Sequence, residues 1–403
     1  MVEQIIIPDV NFINDVIAAG GESVKKCFQC ATCSVVCNVT PEDNPFPRKE
    51  MIHAQWGLKD KLLSNPDVWL CHQCSDCTAY CPRGAKPGEV LGAVRKLSIQ
   101  HYATPSFLAK AVGSPKALIG LLAVPVIIFI IAILMQGHSF IPEGRIVYAE
   151  KFMKVPYIDV IFSAAALFAV FGFVTGISRY WKDLTKNREV SSHPWQRKVK
   201  GPMLAIILDT IFEFVTHKRF KKCEVTKDRA NTHLFVFFGF VGLAITTAWA
   251  IAYLYGYELF GIKAFSVFHF GESPYPLYDP MKIVGNVSAL LLLAGILQVI
   301  TNRRKNAEKA GGGSYFDWLF IGIITSIVVT GILSEVLRLA DIGTEDGLRL
   351  ADMRMLAYPT YFIHLVSVFF LFAYAPFSKM AHMVYRTTAL VFAKYSGREE
   401  KKY

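Results

Sequence analysis

Long apolar stretches alternate with short charged loops over most of this chain, after a more polar N-terminal segment. Six of these stretches are close to the roughly 20 residues that an α-helix needs to cross a bilayer. They lie at about 118–136, 157–180, 233–255, 283–300, 315–337 and 358–384. The pattern predicts a mainly α protein in which residues 106–403 form a six-helix transmembrane bundle and residues 1–105 form a separate domain.

Two further segments refine this division. Tyr102–Pro115 contains Thr-Pro and Ser-Pro pairs, which favour turns, so the domain boundary is expected there. Met203–Phe214 is apolar but carries acidic residues and is too short to span a bilayer, so we expect an amphipathic helix in the membrane interface. A hydrophobic share of 53% with 30 Phe is also typical of a membrane protein.

The basic residues are unevenly divided between the predicted loops. The formal net charge is +11, but the Lys and Arg residues lie in short runs beside apolar stretches, which favours a role in membrane topology over nucleic-acid binding. With the N-terminus inside, the inner loops carry sixteen Lys and Arg residues and the outer loops carry six. Met1–Val16 lacks the pattern of a cleavable signal peptide. We therefore expect a multi-pass protein of the cytoplasmic membrane with both termini in the cytoplasm.

Eight of the nine cysteines form two motifs in the N-terminal domain. The motifs are Cys27-x2-Cys30-x2-Cys33-x3-Cys37 and Cys71-x2-Cys74-x2-Cys77-x3-Cys81. In this spacing three cysteines hold one 4Fe-4S cluster and the fourth reaches the other cluster. We predict a helical, ferredoxin-like domain with two crossed sites, Cys27, Cys30 and Cys33 with Cys81, and Cys71, Cys74 and Cys77 with Cys37. A pair of zinc sites is the alternative, although zinc normally takes two plus two ligands from such motifs. The ninth cysteine, Cys223, is predicted to be a plain thiol.

Histidines in the apolar stretches suggest haem ligation, because an ionisable residue in a membrane span is costly and is usually functional. His364 and His382 are 18 residues apart, so on one continuous helix they would share a face about 27 Å apart along the axis. Each would then supply an axial ligand to one of two b-type haems. His233, at the cytoplasmic start of the third stretch, is the predicted partner of His382.

The second ligand of the outer haem stays open between His269 and His138, both in outer loops. An ordinary surface role is the alternative for each. His217 and His193 lie in the basic inner loop and are poorly placed for this outer site. His72, between two cluster cysteines, is expected to tune or shield its cluster.

Nearly the whole chain resembles known redox families, among them subunits C and E of heterodisulfide reductases. Lys25–Pro87, with both cysteine motifs and Asn-Pro-Phe-Pro-Arg-Lys-Glu at 44–50, resembles the first of these two subunits. The membrane part resembles the second, which carries haem b, and also the gamma subunit of respiratory nitrate reductase. The residues that carry this second likeness are His364-Leu365-Val366, Pro376-Phe377-Ser378, His382 and the segment from Pro156-Tyr157-Ile158 to Arg179-Tyr180. A fusion of both parts resembles the membrane subunits of quinone-interacting membrane-bound oxidoreductase (Qmo) complexes.

The Qmo resemblance implies two b haems, menaquinone and electron exchange with two flavin-containing iron-sulfur subunits on the cytoplasmic face. It also implies a link to adenylylsulfate reductase in dissimilatory sulfate reduction. The chain departs from the nitrate reductase pattern at Leu243, where a second ligand histidine would fall. Lys282 lies near the position of a quinone-contacting lysine of the gamma subunit, and a lysine that snorkels to the interface is the alternative. Glu335 is expected either to pass protons or to pair with Arg338.

The sequence therefore predicts a quinone-linked oxidoreductase subunit that relays electrons between menaquinone in the membrane and cytoplasmic partners. Quinone chemistry moves two electrons and two protons, whereas haems and clusters carry single electrons. One alternative is the membrane anchor of a heterodisulfide-reductase-like complex. Another is a membrane-anchored iron-sulfur sensor without quinone turnover, which would lack intramembrane haem.

Overall fold

The structure is a computed structural model that describes residues 7–42, 44–190, 201–217, 228–263, 276–307, 313–342 and 350–398. Within these ranges the regular secondary structure is helical, with no β-strand. This confirms the mainly α fold class. The predicted haem ligand His269 lies outside the described residues, as do His193 and Cys223.

The α-helices of the N-terminal domain are mostly short, and they surround one longer helix. In chain order they are α1 (Val10–Val16), α2 (Thr32–Val35), α3 (Arg48–Gln55), α4 (Lys59–Leu63), α5 (Asp67–Leu70), α6 (Asp76–Ala79), α7 (Pro87–Tyr102) and α8 (Ser106–Val112). The longest, α7, begins with Pro87, whose fixed φ suits the first helical position. Val90 and Leu91 of α7 are fully buried in the core of this domain.

Six helices in the described part of the chain are long and apolar enough to cross a membrane. They are α9 (Leu118–Met135), α10 (Val155–Val190), α12 (Asp228–Ile251), α13 (Pro280–Lys305), α14 (Tyr315–Ile342) and α15 (Leu350–Ala373), with α11 (Met203–Thr216) between the second and third and α16 (Ala381–Tyr395) after the sixth. The predicted number of apolar helices is confirmed.

The last apolar stretch is not one continuous helix, which corrects the predicted span of 358–384. Helix α15 ends at Ala373, a single 3-10 turn covers Ala375–Phe377, and α16 starts at Ala381. Pro376 causes the break, because it lacks an N–H group and its ring clashes with the carbonyl of a preceding helical turn. His364 and His382 therefore lie on different helices, and the argument that they share one helical face does not hold.

Close packing of α12 against α13 depends on glycine. A Cβ atom added at Gly239 would lie 2.8 Å from the Leu292 Cβ, and one added at Gly295 would lie 2.8 Å from a Val236 side-chain carbon. Small residues at such crossings let helix backbones approach closely in a membrane. The two helices thus form a tightly packed antiparallel pair.

The N-terminal domain is fastened to α10 and α16 by buried side chains. Trp69 of α5 stacks on Tyr385 of α16 with ring centroids 5.4 Å apart. Beyond α16, the guanidinium of Arg398 binds Asp67 of α5 through two contacts of 2.6 Å, and both side chains are 1% exposed. Because a charge buried without its partner is costly, this ion pair fixes the C-terminal segment against the cysteine domain.

The membrane helices have a cluster end, beside the N-terminal domain, and an opposite end. At the opposite end, the Ile146 amide donates to Asp341 at 2.7 Å and the Tyr148 hydroxyl donates to the Ser334 carbonyl at 2.9 Å. At the cluster end, α11 is the expected amphipathic helix, with exposed Leu204 on one side. Lys394 of α16 binds the acidic residues Asp209 and Glu213 of α11 at 2.6 and 2.8 Å.

Candidate functional site

The two cysteine motifs fold into the same local structure. In each motif the residue before the second cysteine and the residue after it have a positive φ: Gln29 (62°) and Ala31 (68°), and Gln73 (55°) and Ser75 (71°). These left-handed residues curl the backbone around the first two cysteines. The third cysteine then sits in a one-turn helix, α2 in the first motif and α6 in the second.

Each motif gathers its first three cysteines with the fourth cysteine of the other motif. Cys81 lines the same cleft as Cys27, Cys30 and Cys33, and it acts electrostatically on Cys27 and Cys33. Cys37 in turn interacts with Cys71, Cys74 and Cys77. This is the crossed arrangement that the spacing predicts, and Cys33 also acts on Cys77, so the two groups are neighbours.

The chemistry of these thiols fits iron-sulfur clusters. Burial, followed by the neighbouring cysteines, raises the pKa of Cys33 to about 11 and of Cys37 to about 12. A bound cation is what makes such thiols ionise, because a coordinating thiol is deprotonated outright. The sulfur atoms surround a space instead of meeting at one point, and within the described ranges no three His, Cys, Asp or Glu side chains form a site for a single metal ion.

The first group of cysteines is at the surface. Cys30 is exposed, and hydrogen bonds with Thr32 lower its pKa. Phe28 is 66% exposed, with the Arg83 guanidinium 3.9 Å from its ring centre. Within the domain, Arg48 donates from Nε to the Gln29 carbonyl at 3.0 Å.

The second group is buried and touches the membrane helices. His72 is 6% exposed, and its ring nitrogens lie 2.7 and 2.8 Å from an Arg386 guanidinium nitrogen. Arg229 donates to the Gln73 carbonyl at 2.7 Å. Arg386 lies on α16 and Arg229 on α12, so both helices that carry inner histidines contact this motif directly.

The inner histidines lie one helical turn from those arginines. His233 is four residues after Arg229, and His382 is four residues before Arg386. The two histidines interact electrostatically, which agrees with their predicted pairing. Nδ1 of His382 contacts the Lys379 carbonyl. Because a carbonyl only accepts, the ring proton is on Nδ1, and Nε2 is the metal-binding nitrogen in this tautomer.

His364 has the same type of contact deeper in the bundle. Its Nδ1 lies 3.0 Å from the Ile327 carbonyl and 3.2 Å from the Thr330 hydroxyl, both on α14. Gly331 makes room for the ring, since a Cβ there would lie 3.0 Å from His364 Cε1. His364 is about midway along α15, whereas the prediction placed it near the outer surface.

The structure keeps His138 at the opposite end of the bundle. This residue follows α9, and its Nδ1 lies 3.3 Å from the Phe152 carbonyl. No contact with His364 accompanies it in the described residues, so the role of outer haem ligand stays a prediction for His138. It also stays a prediction for His269.

Lys282 is part of a charged group at the opposite end. Its Nζ lies 2.7 Å from Glu335 Oε2, and Arg338 donates to Glu335 Oε1 at 3.1 Å. The expected Glu335–Arg338 pair is therefore present, with Lys282 on the other carboxylate oxygen. The group links the start of α13 to α14.

Comparison with protein families identifies a 4Fe-4S dicluster domain over residues 23–85. The prediction of an N-terminal dicluster domain is thus confirmed.

Curated relatives match different parts of the chain, and two of them are subunits C and E of heterodisulfide reductases. The first belongs to the H(2):CoB-CoM heterodisulfide,ferredoxin reductase of Methanothermobacter marburgensis, and its match of 38% identity over 110 residues relates 26% of this chain to 57% of that protein. The chain thus spans little more than half the length of that relative. The second belongs to the dihydromethanophenazine:CoB--CoM heterodisulfide reductase of Methanosarcina thermophila, and its match of 24% identity covers 55% of this chain and 75% of that protein.

One further relative covers most of the chain. Citrate utilization protein B of Escherichia coli is 24% identical over 91% of this chain and 88% of its own length. The search of solved structures finds no significant match. The chain is therefore similar to two different heterodisulfide reductase subunits in its two parts, and the likeness to Qmo complexes stays a prediction.

Sequence reasoning missed the arginines that join the two domains. Arg229 and Arg386 each stand one turn from a predicted haem ligand, a spacing that places side chains on one helix face. That spacing was the available signal. His217, which the sequence places poorly for the outer site, lies instead beside His233, with its Nε2 2.7 Å from the Nδ1 of His233.

Proposed function

We propose that this chain is a membrane electron-transfer subunit that relays electrons between menaquinone and cytoplasmic flavin and iron-sulfur partner subunits. Two 4Fe-4S clusters and b-type haem supply the one-electron chemistry, and menaquinone supplies the two-electron chemistry. The N-terminal domain faces the cytoplasm in this proposal. The resemblance to Qmo subunits adds adenylylsulfate reductase as the final partner.

One observation carries the proposal: the buried cysteine motif and the inner histidines are joined through two arginines. Arg229 holds the backbone of the motif, and Arg386 holds the ring of His72. Each arginine is one turn from His233 or His382. Such a junction gives fixed, short separations between the two kinds of redox centre, which a mere membrane anchor would not need.

The residues fit the two kinds of cofactor. Cys71, Cys74, Cys77 and Cys37 would hold the cluster nearer the membrane, and Cys27, Cys30, Cys33 and Cys81 would hold the cluster nearer the solvent. His233 and His382 would bind the inner haem, and His364 a second haem deeper in the bundle. The hydrogen bonds from Nδ1 to carbonyls at His364 and His382 support this, because such contacts orient metal-binding imidazoles.

The group of Lys282, Glu335 and Arg338 supports a quinone site at the opposite end. An ammonium group can donate to a quinone carbonyl, and a neighbouring carboxylate can receive a proton. Replacement of Lys282 by Met should slow haem reduction by a menaquinol analogue, whereas Lys305→Met, at the cluster end, should leave that rate unchanged. Equal rates in both variants would remove Lys282 from the quinone site.

A heterodisulfide-reductase-like anchor is the second candidate, and the relatives named as heterodisulfide reductase subunits favour it. The two candidates share clusters and haem and differ in the soluble partner. Affinity purification of the tagged chain from its native membrane, with analysis of the attached subunits for flavin and for thiol reductase activity, separates them.

The test of the proposed relay is an optical redox titration of the purified chain, with haem extracted and quantified against protein. Two b haems are expected. His233→Ala and His382→Ala should remove the same haem and His364→Ala the other, whereas His101→Ala in the soluble domain should remove neither. A wild-type chain without haem would contradict the relay and leave the iron-sulfur sensor.

A further inference from the structure

His217 occupies an unusual position beside His233. It ends α11 in a left-handed conformation, with φ 52° and ψ 28°, which is uncommon for a residue other than glycine. Its side chain is 3% exposed and packs against Phe214 and Phe237. A strained backbone that holds a buried imidazole suggests a specific role for that ring.

The contacts of His217 fix which nitrogen carries each proton. Its Nδ1 lies 3.2 Å from the Val215 carbonyl, so this nitrogen must donate. In a neutral ring Nε2 is then an acceptor, and it lies 2.7 Å from Nδ1 of His233. The proton of His233 is therefore on Nδ1, and the lone pair that can bind iron is on Nε2.

Helix α11 holds this ring in place from the other side of the inner site. Lys394 of α16 binds Asp209 and Glu213 of α11, and α16 also carries His382. Thus α11 connects the helix of one predicted axial ligand to the ring of the other. The salt bridges and the histidine contact place His217 at a fixed position against α12.

We propose that His217 is a positioning residue for the inner haem, which accepts a hydrogen bond from His233 Nδ1 and thereby sets the tautomer and ring orientation of this axial ligand. The inference rests on the proposed function, since it requires haem at His233. Partners of this kind raise the basicity of a metal-bound histidine, and their loss typically costs about 10–100-fold in metal affinity.

The test compares His217→Gln and His217→Ala in the full chain, with His101→Gln as control and the cluster absorbance as a check on folding. The amide oxygen of glutamine can still accept from His233, so His217→Gln should keep two haems at nearly unchanged potentials. His217→Ala should bind two haems, one of them about 10–100-fold more weakly. The midpoint potential of that haem should rise, because a less basic ligand stabilises ferric iron less.

Low-spin electron paramagnetic resonance (EPR) signals separate the outcomes. A changed signal from one haem in His217→Ala, with the signal kept in His217→Gln, supports the positioning role. Complete loss of one haem in both variants, as in His233→Ala, would make His217 itself a ligand and overturn the proposal. Unchanged potential and signal in His217→Ala would also overturn it, whereas absence of haem from the wild type would contradict the proposed function instead.

Discussion

The two cysteine motifs have the same spacing and the same backbone, yet the fold gives them different surroundings. At equivalent positions after the first cysteine, Phe28 is exposed and His72 is buried. At the next position, the carbonyl of Gln29 is bound by Arg48 of the same domain, and that of Gln73 is bound by Arg229 of a membrane helix. The repeat thus supplies two similar sites, and the contacts beyond the repeat give one a solvent face and the other a membrane connection.

Exchange of the fourth cysteines is the strongest way to test how the two sites differ. Cys81→Ser should remove the solvent-side cluster, and Cys37→Ser the buried one, because each belongs to the other motif's group. Iron and sulfide analysis should show about half of the wild-type content in each variant. Cys30→Ser and Cys74→Ser serve as references for the EPR spectrum of each single cluster.

The crossed arrangement predicts matching spectra. The Cys81→Ser spectrum should match that of Cys30→Ser, and the Cys37→Ser spectrum should match that of Cys74→Ser. The reverse match would show that each motif holds its own cluster with all four of its cysteines.

Loss of the buried ion pair should have the next largest effect. Burial alone would raise the pKa of Asp67, but Arg398 and Lys49 outweigh it and hold that pKa below its usual range. Arg398→Met would leave this carboxylate buried without its main partner, at a cost of about 3–5 kcal/mol. Denaturant unfolding followed by cluster absorbance measures the loss, and Arg83→Met at the exposed site should cost less than about 1 kcal/mol.

The same pair predicts an acid dependence. A lowered pKa in the folded state stabilises the fold above the unfolded pKa of about 3.9, and this contribution disappears as pH falls through the folded value. Wild type and Arg398→Met should therefore converge in stability at low pH. An equal difference between them at pH 7 and at pH 3 or below would contradict the proposed role of the ion pair.

Local pattern and long-range contact explain which features the sequence could predict. The apolar stretches and the cysteine spacing are local, so the six helices, the amphipathic helix at Met203 and the dicluster domain were predictable. The contact of His217 with His233 and that of Arg398 with Asp67 join residues from separate elements, and no local pattern encodes them. The break at Pro376 was visible in the sequence, but the high hydrophobicity on both sides concealed it.

Breaking the junction of the second motif should have a moderate effect. Arg386→Met and His72→Ala each remove one side of a buried polar contact, which typically costs about 1–3 kcal/mol. Because the two side chains touch, the double variant should lose less stability than the two single losses combined. Unfolding of the four proteins gives this coupling, and strict additivity would show that the contact contributes nothing.

The smallest effect is expected at the equivalent position of the exposed motif. Phe28→Ala removes a ring that contacts the Arg83 guanidinium at the surface, and such an exposed cation–π contact contributes about 0.5–1 kcal/mol. The variant should keep both clusters and show a stability loss below that of His72→Ala in the same unfolding assay. The order of these two losses decides the comparison, because the motifs share their backbone and differ in what surrounds them. A greater loss at Phe28 would mean that the local motif, and not its connection to the membrane helices, determines the stability of each site.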